Sequence, residues 1–202
     1  KAVARSVAKN MGKKYEDLNL IIAHLGGGIS IGSHRKGKVV EVNNALDGEG
    51  PFSPERSGTC PALQLAKLSY SGKYSFDQMK LMITGKGGLT AHLGTNDVRE
   101  VVKMIESGDK KAELVLRAMC YQIAKSILSG FAALNGEADA IIITGGIAHN
   151  EPYIINPIKS YLGKIVENIP FFVVPGEEEL PALAAGVLRV LRNEEKAKEY
   201  DS

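Results

Sequence analysis

Cysteine, net charge and long apolar runs are all scarce in this 202-residue sequence. Its two cysteines, Cys60 and Cys120, stand in no CxxC or other ligand spacing, so we expect reduced thiols in a cytoplasmic protein and no redox or nucleophilic role. The net charge is +2, which gives no electrostatic reason to expect binding to nucleic acid or to a membrane surface. The chain lacks the run of about 20 apolar residues that a membrane span needs, and it opens without a signal-peptide pattern.

The composition is otherwise that of a globular protein, with 44% hydrophobic residues. Apolar runs and alternation predict three strands of an antiparallel meander at 19–25, 29–35 and 38–44. A Gly/Pro/Ser-rich loop and a helical insertion at about 61–108 come next. The later segments are predicted as a long helix from about Asp109 to Leu134, strand 140–144, helix 151–163, strand 171–174 and helix 181–192. The predicted fold class is α/β, a mixed sheet flanked by helices, without the strand–GxGxxG–helix unit of a Rossmann domain.

Two of the predicted strands run directly into glycines, in HLGGGIS at 24–30 and in GGIAHN at 145–150. Glycines at a strand end let backbone N–H groups approach a phosphate without a Cβ in the way, so the two junctions predict one nucleotide held from two sides. The structural alternatives are a tight hairpin, a plain strand-to-helix turn and a helix cap at Asn150. The candidate ligand-binding residues at these junctions are Gly26, Gly27, Gly28, Gly145, Gly146, Ile147 and Asn150.

Two charged residues are candidates for a direct part in chemistry. His24 precedes the first glycine turn and could donate to a transferring phosphoryl group, or it could be a hydrogen-bonded core histidine. Arg56, in PERSG at 54–58, could fork onto a carboxylate or phosphate, or it could pair with Glu49 or Glu55.

Two further charged groups stand at predicted helix starts. Asp97 and Arg99 could contact a ligand, although without further context an N-cap with a solvated arginine is the better explanation. Residues 177–179 are three glutamates. Their negative charges would interact favourably with the dipole at a helix N-terminus, or one of them could supply a carboxylate near Mg²⁺. The spacing does not say which of the three would do so.

Taken in order, these motifs resemble those of the acetate and butyrate kinase family, with the butyrate kinases most similar. The match covers nearly the full chain. HLGGGIS at 24–30 resembles the family's second phosphate motif, and NNALDGEGPFSPERSG at 43–58 resembles its acyl-site loop. GTNDVRE at 94–100 and GGIAHN at 145–150 are similar to the adenosine segments, and PGEEEL at 175–180 is similar to the acidic motif near the metal.

The resemblance implies a carboxylate kinase that uses ATP and Mg²⁺ and reversibly makes an acyl phosphate and ADP from a short-chain fatty acid such as butyrate. It also implies the ribonuclease H-like lobe of the actin, sugar kinase and Hsp70 superfamily, with 1–202 as the C-terminal nucleotide-binding lobe of a two-lobed enzyme. His24 would then assist the transferring phosphoryl group, and Arg56 would stabilise its charge and hold the carboxylate. By the same resemblance the phosphates would lie on Gly26, Gly27 and Gly28, the adenosine against Asp97, Arg99 and residues 146–150, and the metal near Glu178.

Two departures from the family pattern bear on the substrate. Acetate kinases carry HLGNG and TRSGD where this chain has HLGGG at 24–28 and ERSGT at 55–59, which favours butyrate or a branched C4 acid. Acetate, propionate and isobutyrate stay open as substrates, as does an ATP-binding switch of the same superfamily, against which Arg56 argues. The family's N-terminal half is absent from this sequence, so we expect the 202 residues alone to be inactive. The family also implies a homodimer or a higher homo-oligomer.

Overall fold

A five-stranded mixed sheet forms the centre of the structure. The computed structural model describes residues 1–176 and 179–197. The strands are β1 Asn19–Leu25, β2 Ile29–Arg35, β3 Lys38–Val42, β4 Ala140–Gly145 and β5 Phe171–Pro175. They lie in the order β3-β2-β1-β4-β5, with β1, β2 and β3 antiparallel and with β4 parallel to both β1 and β5. The predicted meander and the predicted parallel pair therefore meet between β1 and β4.

The helices agree with the sequence pattern except for α4 in the insertion and for the start of the helix predicted at 151–163. They are α1 Ala2–Asn10, α2 Ala62–Ser69, α3 Phe76–Thr84, α4 Gly88–Leu93, α5 Val98–Glu106, α6 Lys110–Ala133, α7 Asn156–Leu162 and α8 Glu179–Leu191. The sequence did not predict α4, because its six residues are too few to show a helical period. The helix predicted at 151–163 begins as a π-helical turn before α7. Within the described ranges, every helix is too short or too polar to span a bilayer.

The third strand ends at Val42, two residues earlier than the predicted 38–44, because the side chain of Asn43 replaces the strand pairing. Its Oδ1 accepts a hydrogen bond from the Ile31 backbone N–H at 2.7 Å, and its Nδ2 donates to the Ile29 carbonyl at 3.1 Å. An amide side chain can satisfy neighbouring backbone groups in this way where regular pairing stops. The chain then turns into the long loop that carries Arg56.

Helices cover both faces of the sheet, and β1 alternates between them. Its residues Ile21, Ala23 and Leu25 belong to the core cluster that includes α6, whereas Leu20 and Ile22 belong to the cluster that includes α1. Successive side chains of a strand point to opposite faces. The side chain of His24, which follows Ala23, therefore lies on the α1 face of the sheet.

The long helix α6 buries most, but not all, of the residues that its pattern predicted as core. Met119, Ile123 and Ile127 are fully buried, as predicted. Val115 and Phe131 are only half-buried and pack at the edge of the cluster. The buried stripe also includes Leu116, Cys120 and three small residues, Ala112, Ala124 and Gly130. Small residues let the helix approach the sheet closely, and a search for large apolar side chains alone overlooks them.

Both cysteines are free thiols, as predicted. Cys60 is exposed, whereas Cys120 is buried in α6. Burial raises the pKa of the Cys120 thiol to about 12, which keeps it protonated and unreactive at neutral pH.

A buried histidine couples the stability of the sheet to pH. His34 on β2 is buried, and its Nδ1 lies 2.8 Å from the hydroxyl oxygen of Tyr15. Burial lowers the pKa of His34 from 6.5 to about 4, so the folded protein holds the ring neutral. The unfolded chain takes up a proton below pH 6.5, and it then binds more protons than the folded state does.

We therefore expect the free energy of unfolding to fall as the pH drops from about 6.5 to about 4, with His34 as a main cause. Urea denaturation of His34→Gln over pH 4 to 8 should show a free energy of unfolding that depends less on pH between about 4 and 6.5, because the titrating group is gone. His92→Gln is the control, since His92 is exposed. Identical slopes in wild type and His34→Gln would contradict the assignment.

Candidate nucleotide and phosphate site

The carboxyl ends of β1 and β4 lie side by side because these strands run parallel. His24 is the partner of Thr144 in their register, so the residues that follow the two strands reach the same edge of the sheet. Gly145 has a φ of +96°, and a Cβ on it would lie 2.3 Å from the carbonyl oxygen of Leu25. Only glycine fits at this crossing, which brings the two predicted glycine junctions together.

A cleft of about 980 Å³ opens at this edge. One wall is formed by the glycine turn and the start of PERSG, the second by α5 and the residues before it, and the third by the segment that follows β4. The predicted ligand-binding residues that line it are Gly26, Gly27, Asp97, Arg99, Gly146, Ile147 and Asn150. The cleft therefore joins three distant segments of the chain that the motifs had linked to a single ligand.

The wall formed by α5 is long and partly apolar. An α-helix rises about 1.5 Å per residue, so the wall from Asp97 to Glu106 extends about 13 Å. Val98, Val102 and Ile147 give this part of the cleft an apolar lining. An apolar slot beside a glycine turn that carries no side chains is the kind of lining found in small-molecule sites.

Asp97 is both a helix cap and a member of the cleft wall. Its carboxylate accepts a hydrogen bond from the Arg99 backbone N–H at 2.8 Å. The Arg99 side chain donates to it through Nε at 2.9 Å and Nη2 at 2.6 Å. The Arg99 side chain first, and its backbone N–H second, lower the pKa of Asp97 to about 2. The N-cap interpretation is thus correct, and the capping carboxylate, which is ionised at neutral pH, borders the cleft.

The third glycine of the turn makes room for Arg56. A Cβ on Gly28 would lie 2.4 Å from Nη1 of Arg56, so the guanidinium stacks directly on this glycine. Arg56 Nη1 also donates to the Ala45 carbonyl at 2.6 Å, while its buried Nε has no hydrogen-bond partner within the described part of the chain. Among the described residues, Arg56 forms no ion pair with Glu49 or Glu55, whose carboxylates instead accept hydrogen bonds from Asn44 and Asn96.

His24 does not line the cleft. It lies on the α1 face of the sheet, in a second cavity of about 570 Å³ whose lining includes Arg5, Thr144, Gly176 and Arg189. This position follows from strand alternation, since His24 shares the face of Leu20 and Ile22. The glycines two residues further on turn back toward the cleft, so His24 and Gly26 serve different cavities at one sheet edge.

The acidic segment cannot be placed in the site. Glu177 and Glu178 lie outside the described residues, and so does the side chain of Glu179, which begins α8. Among the residues that the structure does describe, no three His, Cys, Asp or Glu side chains come together as metal ligands. The metal assignment to Glu178 thus stays a prediction.

The structure adds site residues that the motifs did not single out. Glu55 and Asn96 line the cleft and are hydrogen-bonded to each other, with Asn96 Nδ2 donating to Glu55 Oε1 at 2.6 Å. Glu106 and Tyr153 line it further along α5, and the Tyr153 hydroxyl donates to Glu106 Oε1 at 3.5 Å. Glu55 and Asn96 stand inside the quoted motifs beside chosen residues, whereas Glu106 and Tyr153 had no local signal.

Backbone hydrogen bonds from Gly87 and from the first turn of α4 fix the loop that carries Arg56. Gly87 N–H donates to the Glu55 carbonyl at 2.9 Å, and Leu89 N–H donates to the Ser53 carbonyl at 3.0 Å. The approach is close enough that a Cβ on Gly88, whose φ is +55°, would lie 1.7 Å from the Ser53 carbonyl oxygen. The helical insertion therefore holds the arginine loop against the glycine turn.

Comparison with known proteins gives a family and a fold. The model of the Acetokinase family matches residues 1–165. The structure of Porphyromonas gingivalis acetate kinase superposes with a TM-score of 0.80 at 24% identity, covering 94% of this chain and 53% of that chain. A propionate kinase from Francisella tularensis subsp. tularensis SCHU S4 gives a TM-score of 0.78 at 28% identity, covering 90% of this chain and 51% of that one.

A more distant likeness confirms the predicted fold class. A ROK hexokinase from Thermus thermophilus gives a TM-score of 0.51 at 15% identity, covering 90% of this chain and 61% of that chain. At this identity, and at that of the acetate kinase, the likeness shows the fold alone, which is the actin-like ATPase and sugar kinase fold. The chain spans about half the length of the acetate and propionate kinases that it matches.

We expect Gly88→Ala to destabilise the protein by clearly more than the about 1–2 kcal/mol that a left-handed conformation costs an L-residue. The added Cβ meets the Ser53 carbonyl, so either α4 or the arginine loop must shift. Gly94→Ala is the matched control, because Gly94 has a φ of +80° and open space around its Cβ position. The measurement is urea denaturation of both variants, and equal losses of unfolding free energy would refute the close approach.

Proposed function

This chain belongs to the Acetokinase family, and we propose that the complete protein is an ATP-dependent kinase of short-chain carboxylic acids. It would transfer a phosphoryl group reversibly between ATP and the acid, giving an acyl phosphate and ADP. The observation that carries the proposal is the cleft itself, where a glycine turn borders an apolar wall, together with the half-buried Arg56 that lies against the adjoining glycine just outside the cleft. Phosphoryl transfer requires this kind of positioning and charge stabilisation more than it requires covalent chemistry.

The nucleotide would lie along α5. Its phosphates would meet the backbone of Gly26 and Gly27, where no side chain blocks the approach. The base would lie against Val98, Val102 and Ile147, with the ionised Asp97 beside the sugar hydroxyls, which are hydrogen-bond donors. Mg²⁺ would neutralise the phosphate charge, and Glu178 is the proposed residue near it.

Arg56 would hold the acid and stabilise the phosphoryl group in transfer. A guanidinium presents a planar fork that matches both a carboxylate and a phosphate. The unpaired Nε and the stacking on Gly28 support this role, because the donor lies directly beside the phosphate turn. His24 would act from the cavity on the other face of the sheet edge, where a second lobe would close over the site.

We further propose that residues 1–202 are the C-terminal lobe of a two-lobed kinase, with α2 to α5 as its helical insertion. The matched kinases are about twice as long, which supports this division. The 202 residues alone would bind a nucleotide without turning it over. A homodimer or higher homo-oligomer is proposed from the family resemblance, and the exposed Val39, Val40 and Val42 on the edge strand β3 are consistent with it.

Butyrate or a branched C4 acid is the proposed substrate. Its support is that the two departures from the acetate kinase pattern meet in space, since a Cβ on Gly27 would lie 3.4 Å from Glu55 Oε2. Gly27, where acetate kinases have asparagine, thus lies opposite Glu55, where they have the smaller, uncharged threonine. Acetate and propionate are the alternatives, because the matched structures are acetate and propionate kinases.

An acyl-hydroxamate assay of the complete protein with Mg-ATP tests the substrate. The panel is acetate, propionate, butyrate, isobutyrate and valerate. We expect the highest kcat/KM with a C4 acid. Preference for acetate or propionate would overturn the C4 assignment and keep the carboxylate kinase. Failure to phosphorylate any acid, despite binding of ATP, would instead favour a nucleotide-dependent switch.

In the complete protein, Arg56→Ala should lower acyl phosphate formation by about 10³-fold, the lower range for loss of an arginine that stabilises a transferring phosphoryl group. ATP affinity, measured by calorimetry, should change little, because Arg56 lies outside the nucleotide cleft. Arg56→Lys should recover only part of the rate, since it restores the charge without the fork. Arg192→Ala is the control, as Arg192 is exposed at the end of α8. Loss of ATP binding in Arg56→Ala would contradict the role assigned to Arg56.

A further inference from the structure

Glu55 is hydrogen-bonded to three separate segments around the cleft. Its backbone N–H donates to the Gly27 carbonyl at 3.4 Å, and its carbonyl accepts from Gly87 N–H at 2.9 Å. Its carboxylate oxygen Oε1 accepts from Asn96 Nδ2 at 2.6 Å. Those partners belong to the phosphate turn, to the turn before α4 and to the segment that leads into α5.

The side-chain bond joins the two halves of the candidate site. Glu55 directly precedes Arg56, the residue proposed to hold the acid. Asn96 directly precedes Asp97, which caps α5 and lines the nucleotide cleft. The bond between them is charge-assisted and short, and it is exposed to solvent. Among the described residues, this is the side-chain hydrogen bond that connects the loop carrying Arg56 to the segment before α5.

The second carboxylate oxygen shows that the bridge depends on the glycine turn. Glu55 Oε2 would be in van der Waals contact, at 3.4 Å, with a Cβ on Gly27. One carboxylate oxygen therefore lies beside the phosphate turn, while the other accepts the hydrogen bond from Asn96. A side chain larger than that of alanine at position 27 would compete with the carboxylate for this space.

We infer that Glu55 is a positioning residue, whose carboxylate holds the Arg56 loop and the amino end of α5 at one separation. Resting on the proposed function, this bridge brings the acid at Arg56 into register with the γ-phosphate of a nucleotide that lies along α5. Phosphoryl transfer is sensitive to such register, because displacing a reactant by about 1 Å can cost about 100-fold in rate. Glu55 acts through its neighbours and transfers no proton or phosphoryl group itself.

A double-mutant cycle in the complete protein tests the bridge. Glu55→Ala and Asn96→Ala should each lower kcat by about 10-fold and raise KM for both ATP and the acid, because one bond positions both substrates. The double variant should be no worse than the more impaired single variant, since both changes remove the same bond. Glu55→Gln should recover most of the activity, because its amide oxygen still accepts from Asn96. Glu113→Ala is the control, because Glu113 pairs with Lys110 and does not line the cleft.

Two readouts separate the possible failures. If the single variants lose thermal stability but keep wild-type kcat and KM, or if their kinetic losses add in the double variant, the bridge has no positioning role. If wild type phosphorylates no acid, the proposed function fails, and calorimetry with ADP then decides the inference. Weaker ADP binding in both single variants, without a further loss in the double variant, would still support the bridge. Unchanged ADP binding in that case would overturn it.

Discussion

The parallel pairing of β1 with β4 is the constraint on which the site depends. It joins an antiparallel meander to a strand that lies more than a hundred residues later, and it sets both carboxyl ends at one edge of the sheet. The glycine turn after β1 and the segment after β4 then face a common space. Gly145 permits this contact, because a Cβ there would collide with the Leu25 backbone. With an antiparallel β4 the two junctions would lie at opposite edges, and the cleft would not exist.

The helical insertion supplies what the sheet cannot. A sheet edge places backbone N–H groups well, but it does not hold a long loop such as the one that carries Arg56. Gly87 and the first turn of α4 hold this loop by hydrogen bonds to the carbonyls of Ser53, Pro54 and Glu55. Loop, insertion and glycine turn are thus one backbone-bonded unit, and the arginine stacked on Gly28 is a product of that unit.

Local patterns were enough to predict the strands, the long helix and the cap at Asp97, because alternation, helical period and capping act over a few residues. Contacts between distant segments of the chain have no local sequence pattern from which they could be predicted. Asn96 and Glu55 are 41 residues apart, and nothing local marks them as partners. The three glycines look equivalent in the sequence, yet Gly26 and Gly27 border the cleft while Gly28 supports Arg56. His24 was grouped with the glycines by proximity, whereas strand alternation sets it on the other face.

The electrostatics of the cleft favour a site organised before its ligand arrives. Arg99 holds Asp97 ionised, and Asn96 donates to Glu55, so these two carboxylates each have a local partner. Groups that are already oriented need little rearrangement when a charged ligand binds, and their dipoles act fully on the charge that develops in transfer. Asp97 is paired with Arg99, and the Arg56 guanidinium lies against Gly28, so the charges around the glycine turn are already arranged by contacts within the chain.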